Sequence, residues 1–268
     1  MKRVALLLQY DGSGYSGWQR QKNAIAVQEI LERALFEITH DNVKTFAAGR
    51  TDAGVHASGQ VVHFDVDCII PGNRYSDVLN SLLPSTLRIL ESVEVQDSWH
   101  ACYSAIYRHY RYVINNSKFP NVFLDNWSWH RYQKVLDEVL MKNASKKMEG
   151  EHDFFAFQKS GSNRTTSITK IKNIDIKRVK DLIFIDIKAT GFLYGMVRLI
   201  VGQLVLVGEK KISPEILTDR WTNKKKNDVK ESAPAKGLCF VNAVYEENVF
   251  TTIDKNDFFP IFLIKGFS

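Results

Sequence analysis

The segment from Ala47 to Ala57, with the sequence AAGRTDAGVHA, carries the residues best suited to chemistry. It places the guanidinium of Arg50 and the carboxylate of Asp52 two residues apart, between two glycines, and residues 43–46 and 60–66 on either side have the composition of strands. A charged loop mounted on a sheet is a common catalytic arrangement, and a carboxylate can act as a covalent nucleophile. The same residues also suit an ordinary turn, because Asp bonds its own backbone there and Gly adopts positive φ. The loop by itself leaves both interpretations open.

Motifs for metal or nucleotide chemistry are missing from the sequence or stand in the wrong context. There is no H-E-x-x-H, calcium loop, P-loop or G-x-S-x-G. A G-x-G-x-x-G pattern does follow the first predicted strand, at Gly12, Gly14 and Gly17. Its context does not fit a dinucleotide site, because the next helix begins only near Ala24, too far on to present its N-terminus to a pyrophosphate. We therefore predict no metal and no cofactor, with a nucleotide-dependent enzyme kept as an alternative.

Two further residues have types that could serve a site. Arg198 lies within the apolar run 192–202, which is too short for a membrane span and carries this charge at its middle, so we predict a buried core helix. A buried arginine requires a carboxylate or an anionic ligand, unless its stem reaches solvent. Tyr110 belongs to a strand rich in Arg and Tyr, where its ring could stack on a nucleobase or simply fill the core.

The elements that must position these residues follow the same order twice. In the first half, apolar periodicity predicts the order β-α-β-β-α-β, which is that of a ferredoxin-like unit. Its predicted elements are a strand at 3–10, a helix at 24–40, strands at 43–48 and 60–66, a short helix at 76–83 and extended structure at 87–95.

The second half repeats this order without evident sequence identity to the first. Its predicted elements are strands at 105–115, 168–179, 182–189 and 238–245, and helices at 132–147 (with Val135, Leu136, Val139 and Leu140 inward), 192–207 and 214–221. We therefore predict an α+β fold of two βαββαβ halves, with domains at 1–102 and 103–248 and a C-terminal tail at 249–268.

The composition is that of an ordinary globular chain with a basic excess. The formal net charge is +6 and the pI is about 9.1, which favours a polyanionic partner. The three cysteines lie far apart and form no C-x-x-C motif, as expected for a reducing compartment, and the N-terminal apolar run is too short for a signal peptide. We expect a cytoplasmic protein with no membrane association, in which the lysines at 224–226 lie in a solvated loop.

A family resemblance connects these separate signals. The chain resembles the tRNA pseudouridine synthase A family over nearly its whole length, on blocks of sequence that occur in the family's order. These blocks are YDG at Tyr10–Gly12, GRTDAGVHA at Gly49–Ala57, RHYRY at Arg108–Tyr112, GFL with MVR and IVG at Gly191–Gly202, and AP with GL at Ala233–Leu238. The resemblance implies two ferredoxin-like halves whose antiparallel sheets join into one central sheet, a basic cleft between the halves, and a homodimer.

The resemblance also implies the function and the roles of individual residues. It implies an isomerase that needs no cofactor and converts uridine to pseudouridine in the tRNA anticodon stem-loop, at positions 38–40. Asp52 matches the family's nucleophile, which acts on a flipped-out uridine, and Tyr110 matches the tyrosine that stacks on the target uracil. Arg198 matches the arginine paired with the aspartate, and Arg50 the arginine that helps to eject the base.

The chain departs from the family pattern at three positions and leaves one further alternative. Gly195 and Leu199 stand where many members have His and Asn, and Phe240 stands where Leu is usual. Ferredoxin-like sheets also serve as RNA-binding modules through surface aromatics, so a non-catalytic RNA-binding protein is the second alternative. The sequence does not decide whether Asp52 would attack C1′ or C6 or start a glycal route.

Overall fold

The computed structural model describes residues 1–161 and 164–251, which divide into two compact units. The first unit comprises residues 1–108 together with the described residues from Cys239 onward, and the second comprises residues 109–238. Strand β5 (Ala105–Asn115) belongs to both, because its first four residues lie in the first unit and the remainder in the second. Of the tail predicted at 249–268, residues 252–268 lie outside the described residues.

The first unit has the predicted β-α-β-β-α-β order. Its strands lie in the order β4-β1-β3, with β2 on the other side of β3, and all three of these pairings are antiparallel. The parallel strand β10 also pairs with the start of β3. The elements are β1 (Lys2–Tyr10), α1 (Val27–Thr39), β2 (Phe46–Ala47), β3 (His56–Val66), α2 (Tyr75–Leu82), β4 (Leu87–Val95) and β10 (Leu238–Tyr245).

The core of the first unit lies between this sheet and its helices. Val4 to Leu8 on β1 are almost completely buried, as are Leu31 and Leu35 on α1. These two helical residues are four apart and therefore share the helix face that packs on the sheet. Phe64 on β3 meets Tyr75 at the start of α2 edge to face, with 5.3 Å between the ring centroids.

The second unit follows the order predicted for the second half up to the last strand, since all of β10 except Leu238 belongs to the first unit, and it adds the short strands β6 and β7. Its sheet runs β5-β9-β8-β7, the β8–β9 and β7–β8 pairings are antiparallel, and short β6 pairs in parallel with β5. The further elements are β6 (Trp129–His130), α3 (Glu138–Ser145), β7 (Gly150–Asp153), β8 (Ile168–Val179), β9 (Leu182–Ala189), α4 (Met196–Gly208) and α5 (Pro214–Thr222). The predicted α+β class is confirmed.

Helix α3 corrects one prediction. It begins six residues later than the predicted start at Tyr132, because Asp137 caps it by accepting a hydrogen bond from the amide of Leu140 at 2.9 Å. With this start, Val135 precedes the helix and is 83% exposed, and Val139 is 63% exposed. The predicted inward positions of these two valines are therefore wrong.

Helix α4 is the buried core helix predicted from the apolar run, but it begins at Met196 rather than near Phe192. Gly195 precedes it in the left-handed region at φ +69°. Arg198 is half-buried in this otherwise largely buried helix. No helix in the described part of the chain combines the length and the apolar character that a membrane crossing requires.

The lysines at 224–226 make more contacts than the solvated loop we expected. Lys224 pairs with Asp153 at 2.6 Å, and Lys225 pairs with Asp219 at 2.6 Å. The ammonium of Lys226 lies 5.2 Å from the ring centroid of Phe155. This run therefore attaches its loop to the second unit.

Candidate active site

The loop that carries Arg50 and Asp52 connects β2 to β3. Strand β3 begins at His56, four residues earlier than predicted, so the irregular part of the loop spans only residues 48–55. The amide of Val55 donates to the carbonyl oxygen of Asp52 at 3.1 Å, and Gly54 between them has φ +76°. This tight turn leaves Asp52 half-buried and Arg50 exposed, whereas Thr51 between them is buried.

The glycine-rich segment after β1 supports this loop from one side. The amide of Trp18 donates to the carbonyl oxygen of Thr51 at 3.1 Å, and the amide of Gly54 donates to the carbonyl oxygen of Tyr15 at 3.1 Å. Gly17 has φ +94°, and a Cβ atom there would lie 2.5 Å from the Thr51 carbonyl oxygen. The absence of a side chain at Gly17 thus allows the two backbones to approach each other.

Side chains of the same region hold the loop on both sides of Asp52. The Tyr10 hydroxyl lies 2.8 Å from the Thr51 hydroxyl, and burial raises the pKa of Tyr10. On the other side, the amide of Gly12 donates to Nδ1 of buried His56 at 3.0 Å, and the Asp11 carboxylate lies 3.2 Å from the same nitrogen. The residues flanking Asp52 therefore have fixed positions on both sides.

Arg108 supports the start of the loop from a third direction. Its buried guanidinium donates from Nε to the carbonyl oxygen of Ala48 at 3.0 Å, from Nη1 to that of Ala105 at 3.0 Å, and from Nη2 to that of Cys102. Beside it, the Gln60 side chain donates to the Gly49 carbonyl oxygen at 2.8 Å. The carbonyl groups of Ala48 and Gly49, which directly follow β2, are thus hydrogen-bonded by side chains.

No pattern in the sequence indicates these supporting residues directly. The glycine segment was visible as G-x-G-x-x-G, and α1 begins only at Val27, even later than the predicted start near Ala24. Its contact with Thr51 and Gly54 spans more than thirty residues of sequence and was not predictable from spacing. Arg108 and His56 could be found only as members of the family motifs.

Tyr110 lies in the second unit, on β5. Its side chain is 6% exposed, and its ring meets that of Phe192 edge to face, with 4.9 Å between centroids and 81° between planes. Phe192 immediately precedes the stretch that leads into α4. The aromatic side chain is thus held rigidly at the sheet, which suits a stacking group.

Arg198 lies in the first turn of α4, in the same unit as Tyr110. Its Nε donates to the carbonyl oxygen of Ala233 at 2.7 Å, and the Ala233 amide donates back to the Arg198 carbonyl oxygen at 3.0 Å. Tyr112 lies in the same region, and its hydroxyl donates to the Pro234 carbonyl oxygen at 2.8 Å. Burial raises the pKa of Tyr112, and the positive charge of Arg198 acts in the opposite direction. These contacts fix the stem of Arg198.

The carboxylate of Asp186 stabilises the strand that carries Tyr110. Asp186 on β9 lies 2.6 Å from Nε2 of His109 and accepts two hydrogen bonds from Arg111, at 2.8 and 3.0 Å. Burial favours a higher pKa for Asp186, but the hydrogen bonds from His109 and Arg111 outweigh it and hold the pKa below its usual range. Tyr110 therefore lies, in sequence, between His109 and Arg111, which both bind the carboxylate of Asp186.

The four predicted site residues are thus divided between the units, with Arg50 and Asp52 in the first and Tyr110 and Arg198 in the second. The pairing of Arg198 with Asp52 stays a prediction. Within residues 1–161 and 164–251, no group of three His, Cys, Asp or Glu side chains is arranged to hold a metal ion.

Comparison with known proteins identifies the family. The family model described as tRNA pseudouridine synthase matches residues 7–104 and 144–246, which is more than half of the chain. The chain is 86% identical to tRNA pseudouridine synthase A of Prochlorococcus marinus (strain AS9601) over 268 residues, the full length of both. It is 51% identical to tRNA pseudouridine synthase A of Synechococcus sp. (strain CC9605) over 265 residues, covering 98% of this chain and 90% of that protein.

Among solved structures, the chain is similar to one from the crystal structure of a Cbf5-Nop10-Gar1 complex, with a TM-score of 0.35 and 11% identity. That match covers 87% of this chain and 59% of the other.

The chain therefore belongs to the tRNA pseudouridine synthase family. Membership makes it an isomerase that forms pseudouridine in tRNA. This result sets aside the two alternatives, a nucleotide-dependent enzyme and a non-catalytic RNA-binding module.

Proposed function

We propose that the protein isomerises uridine to pseudouridine in the tRNA anticodon stem-loop, at positions 38–40 as the family resemblance implies, with Asp52 as the nucleophile on a flipped-out uridine. The observation that carries the proposal is the loop around Asp52, a half-buried carboxylate whose flanking backbone is hydrogen-bonded from three separate segments. A group held in this way keeps its position when a substrate arrives.

The reaction needs no oxidant and no water. The C1′–N1 bond breaks, the uracil rotates while it is held, and C5 forms the new bond to C1′. The hydrogen on C5 leaves as a proton and N1 gains one, so atoms and electrons balance. Extruding the base from its stack costs about a few kcal/mol, which binding to the rest of the RNA must supply.

The other predicted residues have separate roles in this proposal. Tyr110 stacks on the detached uracil, supported by its fixed position against Phe192. Arg198 pairs with the carboxylate of Asp52 and orients it. Arg50, which is exposed on the same loop, enters the RNA and occupies the space that the flipped base leaves.

The proposal extends to the protein's compartment, oligomeric state and domains. The protein acts in the cytoplasm, where its tRNA substrate and the reducing environment expected from its cysteines are found. It works as a homodimer, as the resemblance implies. Its domains are residues 1–102, which carry Asp52, and residues 103–248, which carry Tyr110 and Arg198, followed by the tail.

The test is the release of tritium from tRNA labelled at C5 of uridine. Asp52→Asn keeps the size of the side chain, and we expect tritium release to fall to background while the Kd for tRNA stays within about threefold of the unsubstituted protein. Asp67→Asn, at an exposed carboxylate of the same unit, is the matched control and should retain full activity. Near-normal turnover by Asp52→Asn would refute the nucleophile assignment.

A further inference from the structure

A groove in the first unit is separate from the Asp52 loop and has the character of an anion-binding surface. It has a volume of about 610 Å³ and lies between the segment 20–25, the outer face of α1 and residues 42–44. Four cationic side chains line it: Arg20, Lys22, Arg33 and Lys44. We propose that this groove binds the sugar-phosphate backbone of the tRNA substrate outside the nucleotide that reacts, an inference that rests on the proposed function.

The two acidic residues of the groove are engaged within the protein. Glu32 accepts hydrogen bonds from the amide of Thr45 at 2.9 Å and from the side chain of Gln28 at 3.0 Å, and it pairs with Arg20 at 2.7 Å. Glu29 pairs with Arg33 one helical turn away, at 3.1 Å. Their negative charge is therefore largely compensated by donors that are already in place.

Lys22 and Lys44 are the cations that remain available for a ligand. Both are exposed, and neither makes an ion pair with any residue in the described part of the chain. Two exposed ammonium groups that line one groove suit successive phosphates of a nucleic-acid strand, which bind flexible lysines as point charges.

The apolar part of the groove suits a nucleotide rather than a bare anion. Phe36 is 43% exposed and Ile25 is 59% exposed, and both line the groove beside the cations. Phe36 lies on the outer face of α1, turned away from the core residues Leu31 and Leu35, so the fold does not require a large ring at this position. Exposed rings next to cations are typical of surfaces that contact bases and riboses.

The groove is built on the segment that also supports the Asp52 loop. Trp18 donates its amide to the Thr51 carbonyl oxygen, and its own carbonyl oxygen accepts from the amide of Gln28 on α1. Arg20 follows two residues after Trp18, at most about 7 Å further along the backbone. The segment that lines the groove is therefore continuous with the segment that holds the Asp52 loop, and this continuity favours RNA over an acidic protein as the occupant.

The test measures tRNA binding by the double variant Lys22→Ala/Lys44→Ala across a range of salt concentrations. We expect the Kd to rise on the order of tenfold at about 0.1 M salt, and the slope of log K against log salt to fall by about 1.4 to 1.8, the contribution of two phosphate contacts. The kcat at saturating tRNA should not change, because neither lysine belongs to the proposed catalytic machinery.

The control is Lys170→Ala/Lys177→Ala, which removes the same charge from two exposed positions on β8. An equal loss of affinity in the control would overturn the proposal, because the effect would then reflect net charge alone. An unchanged Kd and salt slope in the Lys22/Lys44 variant would also overturn it. That result is expected if the groove binds an acidic protein instead of tRNA. The Asp52→Asn experiment measures tritium release, whereas this one measures the Kd and its salt dependence. An error in the groove assignment and an error in the catalytic assignment therefore give different results.

Discussion

The supporting role of the glycine segment leads to a sharp prediction for Gly17→Ala. A Cβ at this position would lie 2.5 Å from the Thr51 carbonyl oxygen and 3.0 Å from the Asp52 carbonyl carbon. The loop would have to retreat by about 0.5 Å to bring the first contact to 3.0 Å and by about 0.9 Å to bring it to an ordinary contact of 3.4 Å, whereas catalytic groups must be held within about 0.5 Å of their productive positions. Because a displacement of about 1 Å can cost about a hundredfold in rate, we expect kcat to fall by about 10- to 100-fold.

The same substitution should also lower stability. Alanine at φ +94° is unfavourable by about 1–2 kcal/mol, which corresponds to a Tm lower by about 2–8 °C in a chain of this size. Tritium release at saturating tRNA, the Kd for tRNA and thermal unfolding together separate the two effects.

Gly14→Ala provides the matched control in the same segment. A Cβ at Gly14 would meet nothing within 4 Å, and its φ lies outside the positive region. We expect this variant to keep the activity and Tm of the unsubstituted protein to within experimental error. Equal kcat values for Gly17→Ala and Gly14→Ala would refute the view that the close approach of Gly17 to Thr51 positions the Asp52 loop.

Three other predictions follow from buried polar groups. Burial lowers the pKa of His63 to about 4, so the contribution of neutral His63 to the free energy of unfolding is present above the unfolded pKa of about 6.5 and is lost as the pH falls. We expect this residue to make the protein about 2 kcal/mol less stable at pH 5 than at pH 7.5. In urea denaturation, the stability of His63→Gln should depend less on pH across this range. Asp186→Asn should destabilise the protein by about 2–3 kcal/mol in urea because Arg111 loses its carboxylate, and an unchanged midpoint would contradict this. Arg108→Lys keeps the charge but loses the fork that holds Ala48, so we expect kcat to fall at least about tenfold with little change in the Kd for tRNA, and a change in Kd alone would contradict a positioning role.

Local patterns predicted most of the secondary structure. Strands β5, β8, β9 and β10 have the predicted bounds, since long alternating or β-branched runs leave little ambiguity. The start of α3 was missed because the valines at 135 and 139 continue a helical period that the cap at Asp137 interrupts. Of the strand predicted at 43–48, only β2 (Phe46–Ala47) forms. The short strands β6 and β7 depend on their neighbours and left no periodic signal.

The sequence predicted the reactive residues of the candidate site but not the residues that hold its loop in place. Asp52 and Arg50 stood out because opposite charges between glycines are chemically suggestive, and the family blocks gave them roles. The donors that hold the loop, from Trp18, Gly12 and Arg108, come from distant sequence, and only the folded chain brings them to residues 48–55. Local patterns in a single sequence do not indicate contacts between residues so far apart in the chain.

The most direct test of the proposed activity is a map of pseudouridine in tRNA from cells that lack this protein and carry either the unsubstituted chain or Asp52→Asn. We predict pseudouridine at positions 38–40 with the unsubstituted chain, and uridine at the same positions with Asp52→Asn present at equal abundance. Pseudouridine at those positions in both cell lines would contradict the assignment of Asp52 as the nucleophile.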